Sequence, residues 1–354
     1  MTPLSINERK TYIKKYLCGV FPKVIADITS EYDYEFKGIS YILGNQTGYV
    51  DFLGILSDCS SYSIVSCYGI TGTFTRTITM KIWNPKTKKC DTSLLCHPVS
   101  LWNYGNLEIL PDERMITTFN ETLKIWNPKI QKEEYDMTLI GHSDRIYSIA
   151  SFHDHTCCRI VSASHDKTLK IWNIKKNTYE CELTLVGHTS GVCCVATLKY
   201  GGIISGDYYG NLKIWNKDTG ICELTIKAHN ACVHNILILS DDEIKFRVAC
   251  CSNKDSTIKL WNFQIINQKP IILNDTVTLK NPGEVQCIAR MPDGRIMSSC
   301  YSELQIKYMV CVWNPASEAC DLTIAVLSKI ISIKTLPDGQ IVTSSDDGSI
   351  EIWN

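Results

Sequence analysis

Seven of the eight tryptophans in this 354-residue chain recur at nearly even intervals, and each of these seven is followed by an asparagine. The intervals between them are 43, 46, 43, 46, 52 and 40 residues. The series consists of Trp83, Trp126, Trp172, Trp215, Trp261, Trp313 and Trp353. Only Trp102 lies outside it. A period of this length is typical of repeat proteins, in which neighbouring supersecondary units bury a shared core.

The residues around each tryptophan indicate β-strands. Most of the tryptophans end a short run in which apolar and polar residues alternate, as in Lys170-Ile171-Trp172, and this alternation is typical of strands. Further apolar runs follow, separated by turn sequences such as Pro292-Asp293-Gly294. Each unit therefore holds about four strands, which is the content of one propeller blade. The sequence predicts an all-β fold with seven blades.

The units resemble WD40 repeats. Gly141-His142 and Gly187-His188 stand for the Gly-His of that family, and Trp-Asn stands where Trp-Asp is usual. The resemblance covers about residues 38–354 and implies a seven-bladed WD40 β-propeller that acts as a protein-binding scaffold. We divide the chain into an N-terminal helical segment, 1–36, and the propeller, 37–354.

The last blade needs a strand from the other end of the chain. The sequence stops directly after the seventh tryptophan, before the outer strand that follows it in the other units. Residues 38–44 are similar, position by position, to the outer-strand segment 182–188. We therefore expect residues 38–44 to complete the seventh blade, because this pairing closes the ring and leaves no open sheet edge.

WD40 proteins also resemble one another in a buried hydrogen-bonded network of His, Ser or Thr, Asp and Trp. This resemblance implies a structural network of His142, Ser162, Asp166 and Trp172 in the third unit, His188, Ser205 and Trp215 in the fourth, His229, Asp255 and Trp261 in the fifth, and Thr343, Asp347 and Trp353 in the seventh. Alignment places Tyr209 at the aspartate position of the fourth unit and Cys251 at the hydroxyl position of the fifth. Units 1 and 6 retain little beyond tryptophan, and we expect them to be the least regular.

The chain carries no recognisable catalytic, cofactor or metal motif. A Ser-His-Asp set can support hydrolysis, but a set that recurs with the repeat indicates blade packing. No Cys-x-x-Cys pair and no glycine-rich phosphate loop is present. We therefore predict that the protein is not an enzyme, has no cofactor and has no metal site.

Charge and cysteine content set expectations for partners and compartment. The 36 basic and 37 acidic residues nearly cancel, so we expect neither nucleic acid nor a membrane as partner. The first 15 residues are polar, without the apolar core of a secretory signal. The 18 cysteines are then expected to be thiols in the cytoplasm or nucleus. We expect a protein partner and a chain that is monomeric by itself.

The resemblance implies that partners dock on the face that carries the loops beside Gly-His. The partner-binding candidates on this face are Arg145, His165, Tyr208, Tyr209 and Lys254. Trp102 is a further candidate, either as an aromatic anchor for a partner or as ordinary core packing.

The segment before the propeller has two interpretations. Phe21-Pro22, followed by Val24 and Ile28, fits the start of a short amphipathic helix with proline in its first turn. Such a helix can cap the propeller, since short helices gain most of their stability from packing. The segment also faintly resembles an F-box, although a complete F-box needs more residues than precede Gly38. This resemblance implies an alternative function, a substrate receptor of a ubiquitin ligase with these residues as its adaptor hook.

Overall fold

The computed structural model of the protein describes residues 39–354, apart from gaps at 46–48, 58–60, 72–74, 101–105, 111, 129–136, 153–158, 176–177, 200, 243, 268, 274–275 and 303–306. The regular structure in these residues is entirely β-strand, in seven antiparallel sheets. Innermost strands of successive sheets contact one another around a closed ring. The fold is therefore a seven-bladed β-propeller, as predicted. No helix in the described part of the chain is long and apolar enough to cross a bilayer.

The strands are named in chain order and grouped by blade, from the channel outward. Blade 1 contains β2 (Tyr49–Ser57), β3 (Tyr62–Thr71), β4 (Thr75–Asn84) and β5 (Lys89–Ser100). Blade 2 contains β6 (Leu107–Ile109), β7 (Met115–Phe119), β8 (Thr122–Trp126) and β9 (Met137–Ile140). Blade 3 contains β10 (Ile146–Ser151), β11 (Arg159–Ser164), β12 (Thr168–Ile174) and β13 (Tyr179–Val186). Blade 4 contains β14 (Val192–Thr197), β15 (Gly202–Asp207), β16 (Asn211–Asn216) and β17 (Cys222–Lys227).

The remaining three blades follow the same order with two departures. Blade 5 contains β18 (Val233–Asp241), β19 (Lys245–Ser252), β20 (Thr257–Ile266) and two short outer strands, β21 (Lys269–Ile272) and β22 (Val277–Lys280). Blade 6 contains β23 (Glu284–Arg290), β24 (Ile296–Ser302), β25 (Lys307–Asn314) and β26 (Ala319–Val326). Blade 7 contains β27 (Ile330–Thr335), β28 (Ile341–Ser345), β29 (Ser349–Trp353) and the N-terminal strand β1 (Ile39–Asn45).

The ring closes through the N-terminal strand. β1 pairs antiparallel with β29, from Ile39 opposite Trp353 to Asn45 opposite Ser349. This confirms the expected closure, with bounds one residue later than the predicted 38–44. Because the outer strand of blade 7 lies at the opposite end of the chain from the other three, both ends of the described chain are held in one sheet.

The sequence led us to expect the least regular sheets in blades 1 and 6. The blade with a divided outer edge is blade 5. Blades 1 and 6 are four-stranded sheets, although the outer pairing of blade 1 has an additional register shift between Thr77 and Thr79. Their extra residues lengthen the hairpin between the second and third strands, whose pairing in blade 1 continues to Thr71 opposite Arg76. In blade 5 the outer edge is divided instead, since β21 and β22 pair with different parts of β20.

Apolar clusters lie between neighbouring blades and hold the ring together. One cluster joins Val161, Ala163 and Ile171 of blade 3 to Val192 and Trp215 of blade 4. Glycine is required where the chain passes over such a tryptophan, because a Cβ added at Gly141 would lie 2.9 Å from the ring of Trp172. In the two units that have Gly-His, the glycine therefore lies against the tryptophan of the same unit, Gly141 against Trp172 and Gly187 against Trp215.

Candidate functional site: the upper face and the networks beneath it

The candidate site is one end of the ring, which we call the upper face. The innermost strand of each blade starts there, and the second strand returns there before it turns into the third. The loops that carry the Gly-His residues and the turns that carry the acidic residues therefore share this face. His165 lies in the β11–β12 turn, and Asp144 lies in the loop before β10. A hydrogen bond between their side chains joins the turn to the loop directly.

In blade 3 the structure brings the four network residues together in one chain of hydrogen bonds. The Trp172 indole N–H donates to Ser162 Oγ at 2.9 Å, and Ser162 Oγ lies 2.7 Å from His142 Nε2. His142 Nδ1 lies 2.7 Å from Asp166 Oδ2. If His142 Nε2 accepts from the serine and Nδ1 donates to the carboxylate, each of the four side chains has a hydrogen-bond partner. All four groups therefore need one another in the buried interior.

This arrangement stabilises the blade and offers no reactive nucleophile. Ser162 is fully buried, and its oxygen already accepts the indole hydrogen. Burial alone would raise the pKa of Asp166, but hydrogen bonds from His142 and Thr168 outweigh it and hold that pKa well below its usual range. Since a hydrolytic serine must reach a substrate and an oxyanion hole, the enclosed set fits packing and not catalysis.

Blade 4 has the same chain of hydrogen bonds, but its carboxylate is not at the expected position. His188 Nε2 lies 2.7 Å from Ser205 Oγ, and His188 Nδ1 lies 2.9 Å from Asp207 Oδ2. Tyr209 does occupy the position of Asp166, since Ser205 pairs with Lys213 as Ser162 pairs with Lys170 and the two turns are equally long. Its side chain is exposed, however, and only its backbone N–H donates to Asp207. Asp207 is the last residue of β15, two residues earlier than the aligned aspartate, and its side chain reaches the same imidazole nitrogen.

Blade 5 departs further, because sulfur replaces the hydroxyl oxygen. His229 Nδ1 lies 2.8 Å from Asp255 Oδ2, and His229 Nε2 lies 3.2 Å from the sulfur of Cys250. The assignment of Cys251 to this position is wrong by one residue. The turn between β19 and β20 holds four residues between the paired Ser252 and Thr257, and shifting a strand by one residue turns each side chain to the other face.

The tryptophan of blade 5 lacks the hydrogen bond to a hydroxyl group that the other six repeat tryptophans make. In the other blades each indole N–H donates to a serine or threonine hydroxyl at 2.8 or 2.9 Å, and the acceptors are Ser66, Thr117, Ser162, Ser205, Ser298 and Thr343. The Trp261 Nε1 atom is buried without an oxygen acceptor, and its hydrogen-bond partner is the sulfur of Cys250. Burial raises the pKa of the neighbouring Cys250 to about 12, so this sulfur remains a thiol, which is a weak acceptor.

The acceptors in blades 1, 2 and 6 were not found from the sequence, and Thr117 of blade 2 precedes Trp126 by nine residues. Ser66 precedes Trp83 by 17 residues and Ser298 precedes Trp313 by 15, whereas the spacing in blades 3, 4 and 7 is 10. In all seven blades the residue at this position pairs across the hairpin with the residue two before tryptophan. In blade 7 the Ser328 hydroxyl takes the place of histidine and donates to Asp347 at 2.6 Å.

Three aromatic side chains form a compact cluster on the upper face, which we call the aromatic patch: Tyr147, His165 and Tyr208. Their ring centroids are 5.7 to 6.0 Å apart, in edge-to-face arrangements. Gly191 lies beneath them, and a Cβ there would be 2.6 Å from His165 and 3.2 Å from Tyr208. A hydrogen bond from His165 lowers the pKa of Asp144. The patch is thus a fixed surface, with Tyr208 43 % exposed.

The other candidate partner residues are distributed around this patch. Tyr209 is 62 % exposed beside Tyr208, and its backbone oxygen accepts a hydrogen bond from Lys227. Arg145 is half-buried next to Asp144, and Lys254 is exposed in the β19–β20 turn of the next blade. The remaining candidates, Trp102 and the proposed hook residues Phe21, Pro22, Val24 and Ile28, lie outside the described residues. Their roles stay predictions.

A central channel of about 1120 Å³ passes through the ring below the upper face. Its wall is formed by the innermost strands of all seven blades and by residues next to them, including Tyr147, Cys193 and His234 on the strands and Cys232 just before β18. Burial lowers the pKa of His234 to about 4. Among the described residues, no three His, Cys, Asp or Glu side chains are arranged to hold a metal ion.

Comparisons with known proteins agree with this architecture. The sequence profile of the WD40 family, described as "WD domain, G-beta repeat", matches residues 134–173, 179–216, 220–262 and 324–354. The fold is similar to the crystal structure of the WD40 beta propeller domain of Doa1, with a TM-score of 0.65 and 19% sequence identity over 90% of this chain and 97% of that one. No curated protein sequence matches the chain significantly.

Proposed function

We propose that this chain, a seven-bladed β-propeller with four stretches that match the WD40 repeat, is a protein-binding scaffold whose upper face holds the partner. WD40 propellers are in general interaction domains without enzymatic activity, and the fold is consistent with this role. The observation that carries the proposal is the aromatic patch with its exposed neighbour Tyr209. Tyrosine is enriched in protein interfaces because it combines a large apolar ring with a polar end.

The patch has the rigidity that a binding surface needs. Tyr147 belongs to β10, and Tyr208 follows β15 directly, so each ring is held by a strand of a packed blade. The Tyr208 hydroxyl lies 3.4 Å from the Tyr147 hydroxyl. Side chains that are already fixed lose little conformational entropy on binding. Asp144, Arg145 and Lys254 add charges of both signs around the rings, as is usual at an interface rim.

On this proposal the partner is a protein, and neither nucleic acid nor a membrane is a ligand. The chain is monomeric by itself and resides in the reducing cytoplasm or nucleus. Support for a reducing compartment comes from the cysteines, because thirteen of them in the described part of the chain are free thiols. Proteins of oxidising compartments usually pair such residues. The near-zero net charge of −1 gives no general attraction to polyanions.

Proximity labelling of partners by the full-length chain tests this function. The test variant is Tyr208→Ser with Tyr209→Ser, and the matched control is Ile221→Ser. Ile221 is also strongly exposed, at 63 %, but it lies in the turn between β16 and β17 on the opposite face. Proteins labelled by the wild type and the control but lost from the double variant would support the proposal. Equal labelling by all three proteins would contradict it, provided that all three melt at similar temperatures.

A further inference from the structure

Two cysteines face each other at the mouth of the central channel, beneath the aromatic patch. Cys193 is the second residue of β14, and Cys232 immediately precedes β18 in the neighbouring blade. Their sulfur atoms lie 3.2 Å apart. We propose that Cys193 and Cys232 form a dithiol site that reacts with small oxidised disulfides, such as oxidised glutathione, and closes into a reversible disulfide between blades 4 and 5.

The geometry allows this bond without rearrangement of the ring. A disulfide bond is about 2.05 Å long, so the sulfur atoms must approach by only about 1 Å. Cys232 lies in the loop between β17 and β18, outside the paired strands on either side. This loop can adjust while the strands remain paired. The innermost strands β14 and β18 already contact each other, so the disulfide would connect two blades that are neighbours in the ring.

Access distinguishes this pair from the other close sulfur atoms of the protein. Cys193 and Cys232 are half-buried and form part of the channel wall. Cys300 and Cys311 also approach each other, at 3.9 Å, but both are buried inside blade 6. Cys194, next to Cys193, is buried too, and its thiol donates to the carbonyl oxygen of Val233 at 3.1 Å. Cys311 also hydrogen-bonds to the exposed Cys320, on the outer strand of blade 6 and away from the channel wall. A small disulfide in the channel therefore reaches the Cys193–Cys232 pair directly.

Hydrogen bonding and nearby charges shift the pKa values of the two thiols in opposite directions. Hydrogen bonding from Cys193 lowers the pKa of Cys232 despite burial and the charge of Asp207, and the positive charge of Lys254 acts in the same direction. The pKa of Cys193 is raised, first by its hydrogen bond with Cys232 and then by burial. Cys232 is therefore the thiolate that attacks, because thiolates and not thiols are the nucleophiles.

The reaction is thiol–disulfide exchange in two steps. The Cys232 thiolate attacks one sulfur of oxidised glutathione, the glutathione S–S bond breaks, and one glutathione leaves as a thiolate. Cys193 then loses its proton and attacks the Cys232 sulfur, which breaks the mixed disulfide and releases the second glutathione. In total two protein thiols are oxidised, and one oxidised glutathione is reduced to two glutathione molecules, which carry away the two protons.

Non-reducing peptide mapping of the full-length protein in glutathione buffers tests the proposal. The reduced protein is equilibrated at rising proportions of oxidised glutathione, quenched with acid, alkylated and digested with trypsin. Cys193 lies in the tryptic peptide 177–199 and Cys232 in 228–245. We expect a cross-linked product of these peptides, lighter than their sum by two hydrogens. It should exceed glutathione adducts of either cysteine at least about tenfold, because a neighbouring thiol has a high effective concentration.

Single variants identify the two sulfur atoms. Cys193→Ser is expected to lose the cross-link and to accumulate a glutathione adduct on Cys232, whereas Cys232→Ser is expected to lose the cross-link. Cys181→Ser is the matched control, since Cys181 is exposed in the same tryptic peptide, and it should retain the cross-link. Cys193→Ala replaces Cys193→Ser if the serine variant melts at a lower temperature than the wild type.

Three outcomes would overturn the proposal. One is a cross-link that persists in Cys193→Ser or Cys193→Ala, which would assign it to Cys181 or Cys194. Another is a wild type that forms only glutathione adducts. The third is an unmodified pair in a buffer in which the exposed Cys181 is already glutathionylated.

Discussion

Blade 4 and blade 5 are neighbours in the ring and carry the same tryptophan, yet only blade 4 has a complete polar network. In blade 4 the Trp215 indole donates to Ser205 at 2.8 Å, and His188 links that serine to Asp207. In blade 5 the histidine and aspartate are paired in the same way, but Cys250 replaces the serine, so the Trp261 N–H faces a weakly accepting sulfur and no hydroxyl. Both blades nevertheless fold as sheets with the same strand order.

The comparison shows that strand register preserves the network position while the residue there changes. Ser205 pairs with Lys213 and Cys250 pairs with Lys259, each two residues before its tryptophan. Apolar packing between blades maintains this register in both cases. The polar network then adds stability to a sheet that packing already holds in register. Its contribution to the free energy of unfolding should be measurable separately in each blade.

The largest effect is expected from Asp207→Ala, which removes the carboxylate of blade 4. Asp207 is fully buried and accepts hydrogen bonds from His188, Asn211 and two backbone N–H groups. Breaking such a buried pair costs about 3–5 kcal/mol. Urea unfolding monitored by tryptophan fluorescence measures the loss. Tyr209→Ala is the matched control and should change the free energy of unfolding by less than about 0.5 kcal/mol. A larger loss for Tyr209→Ala than for Asp207→Ala would contradict the role of Asp207 as the carboxylate of this network.

Acid should destabilise both blades, because each contains a histidine whose pKa is lowered by burial. The hydrogen bonds that His188 donates to Asp207 and that His229 donates to Asp255 only partly offset this effect. The unfolded chain then binds protons more readily than the folded one, so stability is complete above the unfolded pKa of about 6.5 and decreases as pH falls below it. Melting temperatures measured between pH 8 and pH 5 should show this decrease. A constant melting temperature over that range would contradict neutral, buried histidines.

Ser205→Cys should convert blade 4 into a copy of blade 5. Sulfur is a weak acceptor, so the Trp215 N–H would lose most of its hydrogen bond in a fully buried site. We expect a loss of about 1–3 kcal/mol, the usual cost of an unsatisfied buried donor. Urea unfolding measures it, and Cys181→Ser, at an exposed thiol, is the control for a serine–cysteine exchange without a network. An unchanged midpoint for Ser205→Cys would mean that the hydroxyl contributes nothing to blade 4.

The reciprocal change, Cys250→Ser, is expected to have the smallest effect and the opposite sign. A hydroxyl at this position can accept from the Trp261 N–H and donate to His229, as Ser205 does with Trp215 and His188. The gain should be about 0.5–1.5 kcal/mol, the net value of one hydrogen bond. Cys251→Ser is the matched control, because Cys251 is equally buried but pairs with Ile258, outside the network. Stabilisation by Cys251→Ser and not by Cys250→Ser would mean that Cys251 occupies the hydroxyl position, as the sequence spacing predicted.

The fold could be predicted from the sequence because its main signals are local. Each of the seven periodic Trp-Asn pairs ends an alternating strand, and seven such units at a regular spacing leave few architectures other than a propeller. The N-terminal strand was also predictable, since residues 38–44 are similar to an outer-strand segment elsewhere in the chain. The observed β1, Ile39–Asn45, differs by one residue at each end.

The network was predicted less completely because hairpin length varies between blades. Counting back ten residues from tryptophan finds Ser162, Ser205 and Thr343, but it misses Ser66, Ser298 and Cys250, whose hairpins are longer. Asp207 was missed for a related reason. A carboxylate at the end of β15 reaches the same imidazole as one in the following turn, and only the three-dimensional position of the side chain reveals this equivalence.

Hydrogen exchange of the indole N–H groups, followed by nitrogen-15 NMR with labelled tryptophan, tests the comparison of the two blades most directly. Both indoles are buried, but only that of Trp215 is hydrogen-bonded to a hydroxyl. We predict that the Trp261 N–H exchanges several-fold to about tenfold faster than the Trp215 N–H, since one hydrogen bond contributes about 0.5–1.5 kcal/mol against opening. We also predict that Cys250→Ser slows it toward the Trp215 rate. Equal exchange of the two indoles in the wild type, unchanged in Cys250→Ser, would contradict the account.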